Sequence, residues 1–226
     1  MFPETFIFDV EGTLIDSVPM TITCWRETLQ GFHLPVRLDD LQHLSGMDGD
    51  DMLRRLFPEL GEQQRKDIAA AQGERYRAVY LSDTAPFPGI RALFESIKEA
   101  GARIALATDC QRDELGHYRR LMKADDLIDA VACGTEVPHG KPHPELLMRA
   151  LAQLRGTPAT RVEMVGDTPF DARAARSIGA GAIGLLTGGH SRAVLTGAGC
   201  RLVSPTLVEL RTRLVRLRPL PVNGER

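Results

Sequence analysis

Four carboxylates stand in two pairs far apart in the chain, Asp9 with Glu11 and Asp167 with Asp171. Each pair follows a short apolar run, Phe6-Ile7-Phe8 or Val162 to Val165. Thr108 and Asp109 close a third run, Ile104 to Ala107, and Lys141 precedes a helical pattern. In an open parallel sheet, ligands bind outside the carboxyl ends of the strands, so these residues are expected to converge in one crevice. Carboxylates gathered there raise one another's pKa or demand a cation. Lys141 alone under-neutralises four acids. A hard cation with oxygen ligands removes the deficit, and Mg²⁺ is the usual choice where phosphate oxygens share its shell. Such a cation also screens an anionic substrate from an anionic nucleophile.

The elements that must position these groups are legible as periodicities. Continuous apolar runs at Phe6–Phe8, Ile104–Ala107, Ala130–Cys133, Val162–Val165 and Ala182–Leu186 suit strands buried on both faces. Helical patterns separate them. Ile90, Leu93, Phe94 and Ile97 follow the i, i+3, i+4, i+7 rule, with Pro88 before and Gly101 after. Leu147, Ala150, Leu151 and Leu154 mark another helix. Strands alternating with helices predict a parallel α/β sheet. From Asp16 to about Pro86 the alternation stops. Ile22, Trp25, Leu29 and Phe32 form one helical stripe, expected to pack inside this segment, and a long polar helix is expected over Gln63–Leu81. A segment of that length is too long for a crossover loop. It reads as a helical module inserted after the first strand, so residues 1–15 and 87–226 form the core and 16–86 the insert. Residues Pro219 to Arg226 read as a frayed tail.

Composition narrows the function. The 226 residues carry 28 Lys and Arg against 30 Asp and Glu, a net charge of −2. No broad basic field exists to hold nucleic acid or an anionic membrane. No apolar stretch spans a bilayer, and the N-terminus lacks the features of a signal peptide. The four cysteines, Cys24, Cys110, Cys133 and Cys200, form no CxxC pair and suggest reduced thiols. A cytoplasmic protein is expected, with no nucleic-acid or membrane partner; monomer and homodimer both stay open.

Taken in order, four stretches resemble the four motifs of the haloacid dehalogenase-like hydrolase superfamily. They are Asp9-Val10-Glu11-Gly12-Thr13-Leu14, Thr108-Asp109, Gly140-Lys141-Pro142-His143-Pro144-Glu145, and Val165-Gly166-Asp167-Thr168-Pro169-Phe170-Asp171. The resemblance covers almost the whole chain and is nearest to the phosphoglycolate phosphatase-like and β-phosphoglucomutase-like enzymes. It implies a Rossmann-like parallel-sheet core with a small inserted α-helical cap. It also implies a Mg²⁺-dependent phosphatase that hydrolyses a small phosphorylated metabolite through an aspartyl-phosphate. In that reading Asp9 attacks phosphorus, and Glu11 protonates the leaving oxygen and then activates water. Thr108 donates a hydrogen bond to a phosphoryl oxygen, and Lys141 balances the charge of Asp9 and the phosphate. Asp9, the Glu11 carbonyl and Asp167 ligate Mg²⁺, with Asp171 acting through water or on the ligands.

The chain departs from the family pattern at position 11, where Asp is usual and Glu stands here. The carboxylate is kept, one methylene further out, as in the enolase-phosphatases of the same superfamily. An alternative reading is therefore a non-catalytic phosphate-binding or regulatory relative. Thr21 occupies the place of the mutase's cap histidine, and the first lysine, Lys66, lies too far along for a phosphonatase Schiff base. The acidic loop Ser45 to Asp51 suggests a leaving group bearing hydroxyls or a cation, with Arg54 and Arg55 close enough to reverse that sign.

Other candidates have plainer explanations. His139 and His143 carry ligand spacing, but Pro142 and Pro144 oppose a helix that would align them on zinc. Cys110 reads as an inert buried thiol. Arg211, Arg213 and Arg216 read as a solvated helix face.

Overall fold

The computed structural model describes residues 2–154 and 156–217. In chain order the strands are β1 (Thr5–Phe8), β2 (Ile15–Asp16), β3 (Ala85–Pro86), β4 (Arg103–Thr108), β5 (Ala130–Cys133), β6 (Val162–Gly166), β7 (Gly181–Leu185) and β8 (Leu202–Ser204). The helices are α1 (Val18–Gly31), α2 (Leu38–Leu44), α3 (Gly49–Leu56), α4 (Glu62–Arg75), α5 (Ile90–Glu99), α6 (Arg112–Met122), α7 (Glu145–Gln153), α8 (Pro169–Ser177), α9 (Arg192–Ala198) and α10 (Leu207–Leu217).

Every side chain of β1 is buried. Successive side chains on a strand point to opposite faces. Phe6 and Phe8 therefore enter one core layer with Leu93 and Phe94 of α5 and Leu210 of α10. Ile7 enters the other with Leu147 of α7 and Ala175 of α8. The rings of Phe8 and Phe94 lie 4.9 Å apart. Truncating such a buried ring costs about 3–5 kcal/mol. Strand β1 is flanked in parallel by β4 and β6, with Phe8 opposite both Leu106 and Val165. The six-stranded sheet runs β5-β4-β1-β6-β7-β8, and all its pairings are parallel. The fold is α/β, with helices on both faces as a parallel sheet requires. The sheet thus places the ends of β1, β4 and β6 side by side.

Helices α1 to α4 bury their own apolar cluster, which includes Leu29, Leu41, Leu53 and Ile68. The chain leaves and rejoins the sheet layer through the antiparallel pair β2–β3, Ile15 opposite Pro86 and Asp16 opposite Ala85. The Phe87 N–H also donates to the Leu14 carbonyl at 2.8 Å.

Several details differ from the sequence reading. Edge strand β8 and the β2–β3 pair are additional, and all three are too short to show a period. The long polar helix ends as α4 at Arg75 and continues as a π-helical turn over Tyr76–Tyr80. Phe32 follows the last residue of α1 and is 43% exposed, so the stripe stops at Leu29. Arg211 and Arg216 are exposed, as a solvated face requires, but Arg211 also donates to Ser96 Oγ at 2.9 Å and the half-buried Arg213 to the Val203 carbonyl at 3.2 Å. The expected tail from Pro219 lies outside the described residues.

Candidate active site

Asp9 immediately follows β1, Thr108 ends β4, and Asp167 immediately follows β6. Lys141 lies between β5 and α7, and Asp171 sits in the first turn of α8. The sequence Thr168-Pro169-Phe170-Asp171 specifies that helix start: Thr as cap, Pro in the first turn, and an acid three residues on. Asp171 Oδ2 accepts from the Thr168 N–H at 3.0 Å and from its hydroxyl at 2.7 Å. Its Oδ1 is thereby aimed at Lys141 Nζ, 2.9 Å away.

The buried Lys141 ammonium also meets Asp9 Oδ1 at 2.6 Å and Asp109 Oδ2 at 3.5 Å. Asp109 Oδ1 accepts the Lys141 N–H at 3.0 Å, so this carboxylate fixes both ends of the lysine. Burial pulls the Lys141 pKa down, but Asp171, Asp9 and Asp109 together hold it well above the ordinary lysine value. It remains a cation.

The carboxylates outnumber it. Burial raises Asp9 despite Lys141, and burial raises Asp167 well above the usual carboxylate range. Burial likewise lifts Asp109 to about 6. Oxygen atoms of Asp9, Asp167 and Asp171 lie within 4.8 Å of one another, the one such cluster among the described residues. Thr13 Oγ1 donates to Asp167 Oδ1 at 2.5 Å, while Asp167 Oδ2 is buried with no partner. Two glycines make room there. Gly12 turns with φ of 75°, and a Cβ on it would lie 2.5 Å from Asp167 Oδ2; on Gly188 a Cβ would lie 1.7 Å from the same atom. An all-oxygen donor set, excess negative charge and an orphaned carboxylate oxygen fit a hard divalent cation.

Glu11 sits apart from this cluster. Its Oε1 accepts from the Tyr118 hydroxyl at 3.0 Å. Burial, then Glu114 and Asp9, raise its pKa to about 8, so near neutrality it holds a proton to give. Thr108 is fully buried and lines the same cavity.

That cavity, about 540 Å³, is walled on one side by Asp9, Glu11, Thr108, Asp109 and Lys141 and on the other by Thr21, Ile22, Trp25, Met47 and Gln72 of the insert. The insert is held against the sheet by Asp48 N–H to the Lys141 carbonyl (3.0 Å) and Gln42 to the Gly188 carbonyl (2.9 Å). His143 Nε2 meets Asp51 Oδ2 at 3.2 Å. His139 faces Glu145 at 3.2 Å, so each histidine has a separate carboxylate partner. Cys110 is buried, and burial pushes its thiol pKa far up, as an inert thiol requires.

Sequence reasoning assigned no role to Asp109 or Tyr118. Asp109 was visible beside Thr108. Tyr118 gave no signal, because a buried tyrosine on a helix reads as core.

The family model described as haloacid dehalogenase-like hydrolase matches residues 6–185. The chain belongs to that family. Among haloacid dehalogenase-like relatives, a phosphoglycolate phosphatase of Caulobacter vibrioides is 26% identical, covering 94% of this chain and 91% of its own length. A phosphorylated carbohydrates phosphatase of Thermotoga maritima is 27% identical, with 89% of this chain and 94% of the relative covered. A hydrolase structure from Pseudomonas syringae superposes with a TM-score of 0.87 at 28% identity, covering 95% of this chain and 99% of that one. Among the described residues, no helix is long and apolar enough to cross a membrane.

Proposed function

We propose that the protein is a Mg²⁺-dependent phosphatase that hydrolyses a small phosphorylated metabolite through an aspartyl-phosphate on Asp9. The observation that carries this is the Asp9 carboxylate, paired to a buried lysine at 2.6 Å and lining the cavity between sheet and insert beside an oxygen-only cluster. The pairing opposes the rise that burial imposes on the Asp9 pKa and so favours the anion, the form in which a carboxylate attacks. In the first step Asp9 forms a bond to phosphorus as the ester oxygen departs with the proton held by Glu11. In the second, Glu11 takes a proton from water, which attacks phosphorus and releases Asp9 and inorganic phosphate. Thr108 donates to a phosphoryl oxygen. Lys141 offsets the charge of Asp9 and the phosphoryl group throughout.

Asp9, Asp167 and the Glu11 carbonyl would hold the cation. Asp171 has one oxygen on Lys141 and the other on Thr168, which suits a role through water. Bound there, Mg²⁺ supplies charge neutralisation between an anionic nucleophile and an anionic ester. Residues 16–86 act as a cap over a core of 1–15 and 87–226, excluding water and selecting the leaving group.

The leaving group carries hydroxyls or a cation rather than a second anion. Lys141 and Arg77 are the only cations lining the cavity among the described residues, and each is paired to carboxylates. Arg54 is spent on Asp50 at 2.5 Å. Among the described residues, no unpaired guanidinium lines the cavity for a second anion. The name of the Thermotoga relative supports a phosphorylated carbohydrate, that of the Caulobacter relative phosphoglycolate.

Phosphate release from a panel of sugar, polyol and carboxylate phosphomonoesters tests both parts. Turnover abolished by Asp9→Asn and by chelator is expected, with sugar or polyol phosphates ahead of phosphoglycolate. A strong preference for phosphoglycolate refutes a leaving group without a second anion. No turnover from folded, Mg²⁺-bound protein refutes the phosphatase.

A further inference from the structure

We infer that Tyr118 is a positioning residue that holds the Glu11 carboxylate at the leaving oxygen, and that Tyr76 of the insert engages it only when the insert is seated. The inference rests on the acid/base role proposed for Glu11.

Three side chains form a line. Tyr118 donates its hydroxyl to Glu11 Oε1 at 3.0 Å. The Tyr76 and Tyr118 hydroxyls are 2.8 Å apart. Tyr118 has one proton and directs it at Glu11, so Tyr76 is the donor in the second bond. Tyr76 and Tyr118 are both almost fully buried, so neither bond is lost to water. Glu11 follows β1, Tyr118 lies on α6 and Tyr76 belongs to the insert. The line therefore crosses from the insert to the sheet side.

Two features single this contact out from ordinary packing. Tyr76 opens the π-helical turn Tyr76–Tyr80, and such turns are frequent at functional sites because the extra residue re-aims side chains. Its neighbour Arg77 meets Glu114 at 3.2 Å, and Glu114 lies four residues before Tyr118 on α6. The same face of α6 is thus engaged twice by the same turn. The line also gives the glutamate a reason. An aspartate at position 11 is shorter by one methylene, a carbon–carbon bond of about 1.5 Å, and would stop short of Tyr118. Glu11 reaches it, and seating the insert adds the bond that fixes the hydroxyl Glu11 leans on.

The test compares four enzymes with Mg²⁺: wild type, Tyr118→Phe, Glu11→Asp and the double variant. Each is assayed on the alkyl phosphate of highest turnover in the panel and on p-nitrophenyl phosphate. An alkoxide needs a proton as it departs and nitrophenolate does not, so only the first reports acid positioning. Tyr118→Phe is expected to lower kcat/KM on the alkyl phosphate roughly ten- to a hundredfold and to leave the aryl ester within about threefold. With Asp at position 11, Tyr118→Phe is expected to add no loss. Equal loss on both esters, or equal loss in both backgrounds, overturns the inference. Tyr76→Phe keeps the ring and removes only the distal hydroxyl; should Tyr118→Phe not fold, this variant decides alone. Several-fold loss confined to the alkyl ester supports the inference, and no loss overturns it. If wild type turns over neither ester, or Asp9→Asn stays active, the phosphatase reading fails and this inference with it. If those controls hold and Tyr118→Phe matches wild type, this inference alone fails.

Discussion

Thr13 Oγ1 donates to Asp167 Oδ1 at 2.5 Å, and that single bond fixes which oxygen of Asp167 is left buried without a partner. Hydrogen bonds to metal-ligating groups orient them, and removing one typically weakens metal binding 10- to 100-fold. Thr13→Val should therefore lower Mg²⁺ affinity by roughly that factor. Thr13→Ser, which keeps the hydroxyl, should not. Calorimetric titration with Mg²⁺ checks this; equal affinities for all three proteins would show that Asp167 is not a ligand.

Metal-free stability should fall as pH rises. Burial lifts Asp109 to about 6 and Glu11 to about 8, and raises Asp9 and Asp167 as well. Between the ordinary carboxylate pKa, about 4, and those values, the native state binds more protons than the unfolded chain. Stability then has a negative slope with pH over that window. Mg²⁺ binds the deprotonated carboxylates, so the rise in Tm that it produces should be larger at pH 8 than at pH 6. Thermal melts with and without chelator measure both effects. A metal-free Tm that climbs from pH 5 to 8 would contradict the assignment.

Gly188→Ala should abolish metal-dependent turnover while leaving the protein folded. The added methyl would sit 1.7 Å from Asp167 Oδ2, so either the carboxylate or the turn must move. A displacement of ~1 Å at a reacting centre can cost about a hundredfold. Far-ultraviolet circular dichroism confirms the fold, and phosphate release measures the loss. Activity within about threefold of wild type would mean that Asp167 does not hold its position for the chemistry.

Trp25 is the single tryptophan of the chain and lines the cavity. Its fluorescence should therefore change saturably when inorganic phosphate is added with Mg²⁺, and much less without the metal. A flat titration, with phosphate binding confirmed by calorimetry, would place the anion away from this cavity.

Strands β1, β4, β5, β6 and β7 were legible because burial on both faces writes continuous apolar runs into the sequence. β8 was not: it has three residues at the sheet edge, one of them Ser204. Asp9, Asp167 and Lys141 were legible as neighbours because parallel topology brings strand ends together whatever their separation in the chain. The contact between Tyr118 and Glu11 spans 107 positions and depends on the exact seating of α6. No local pattern carries such a contact. The bond from the exposed Arg211 to Ser96 was hidden for the same reason, since the two lie 115 positions apart. Phe32 was misread because the periodicity cannot say where α1 stops.

The paired strands β2 and β3 have an evolutionary consequence. Ile15 and Pro86 stand opposite each other, so everything between them leaves and returns at one point. A replacement of different length or fold attached at that pair imposes no stretch on the sheet, because the entropic cost of a longer loop grows only slowly. The inserted segment is in effect an exchangeable cassette. A lineage can trade it for another and reshape one wall of the cavity while the strand-end carboxylates stay where they are.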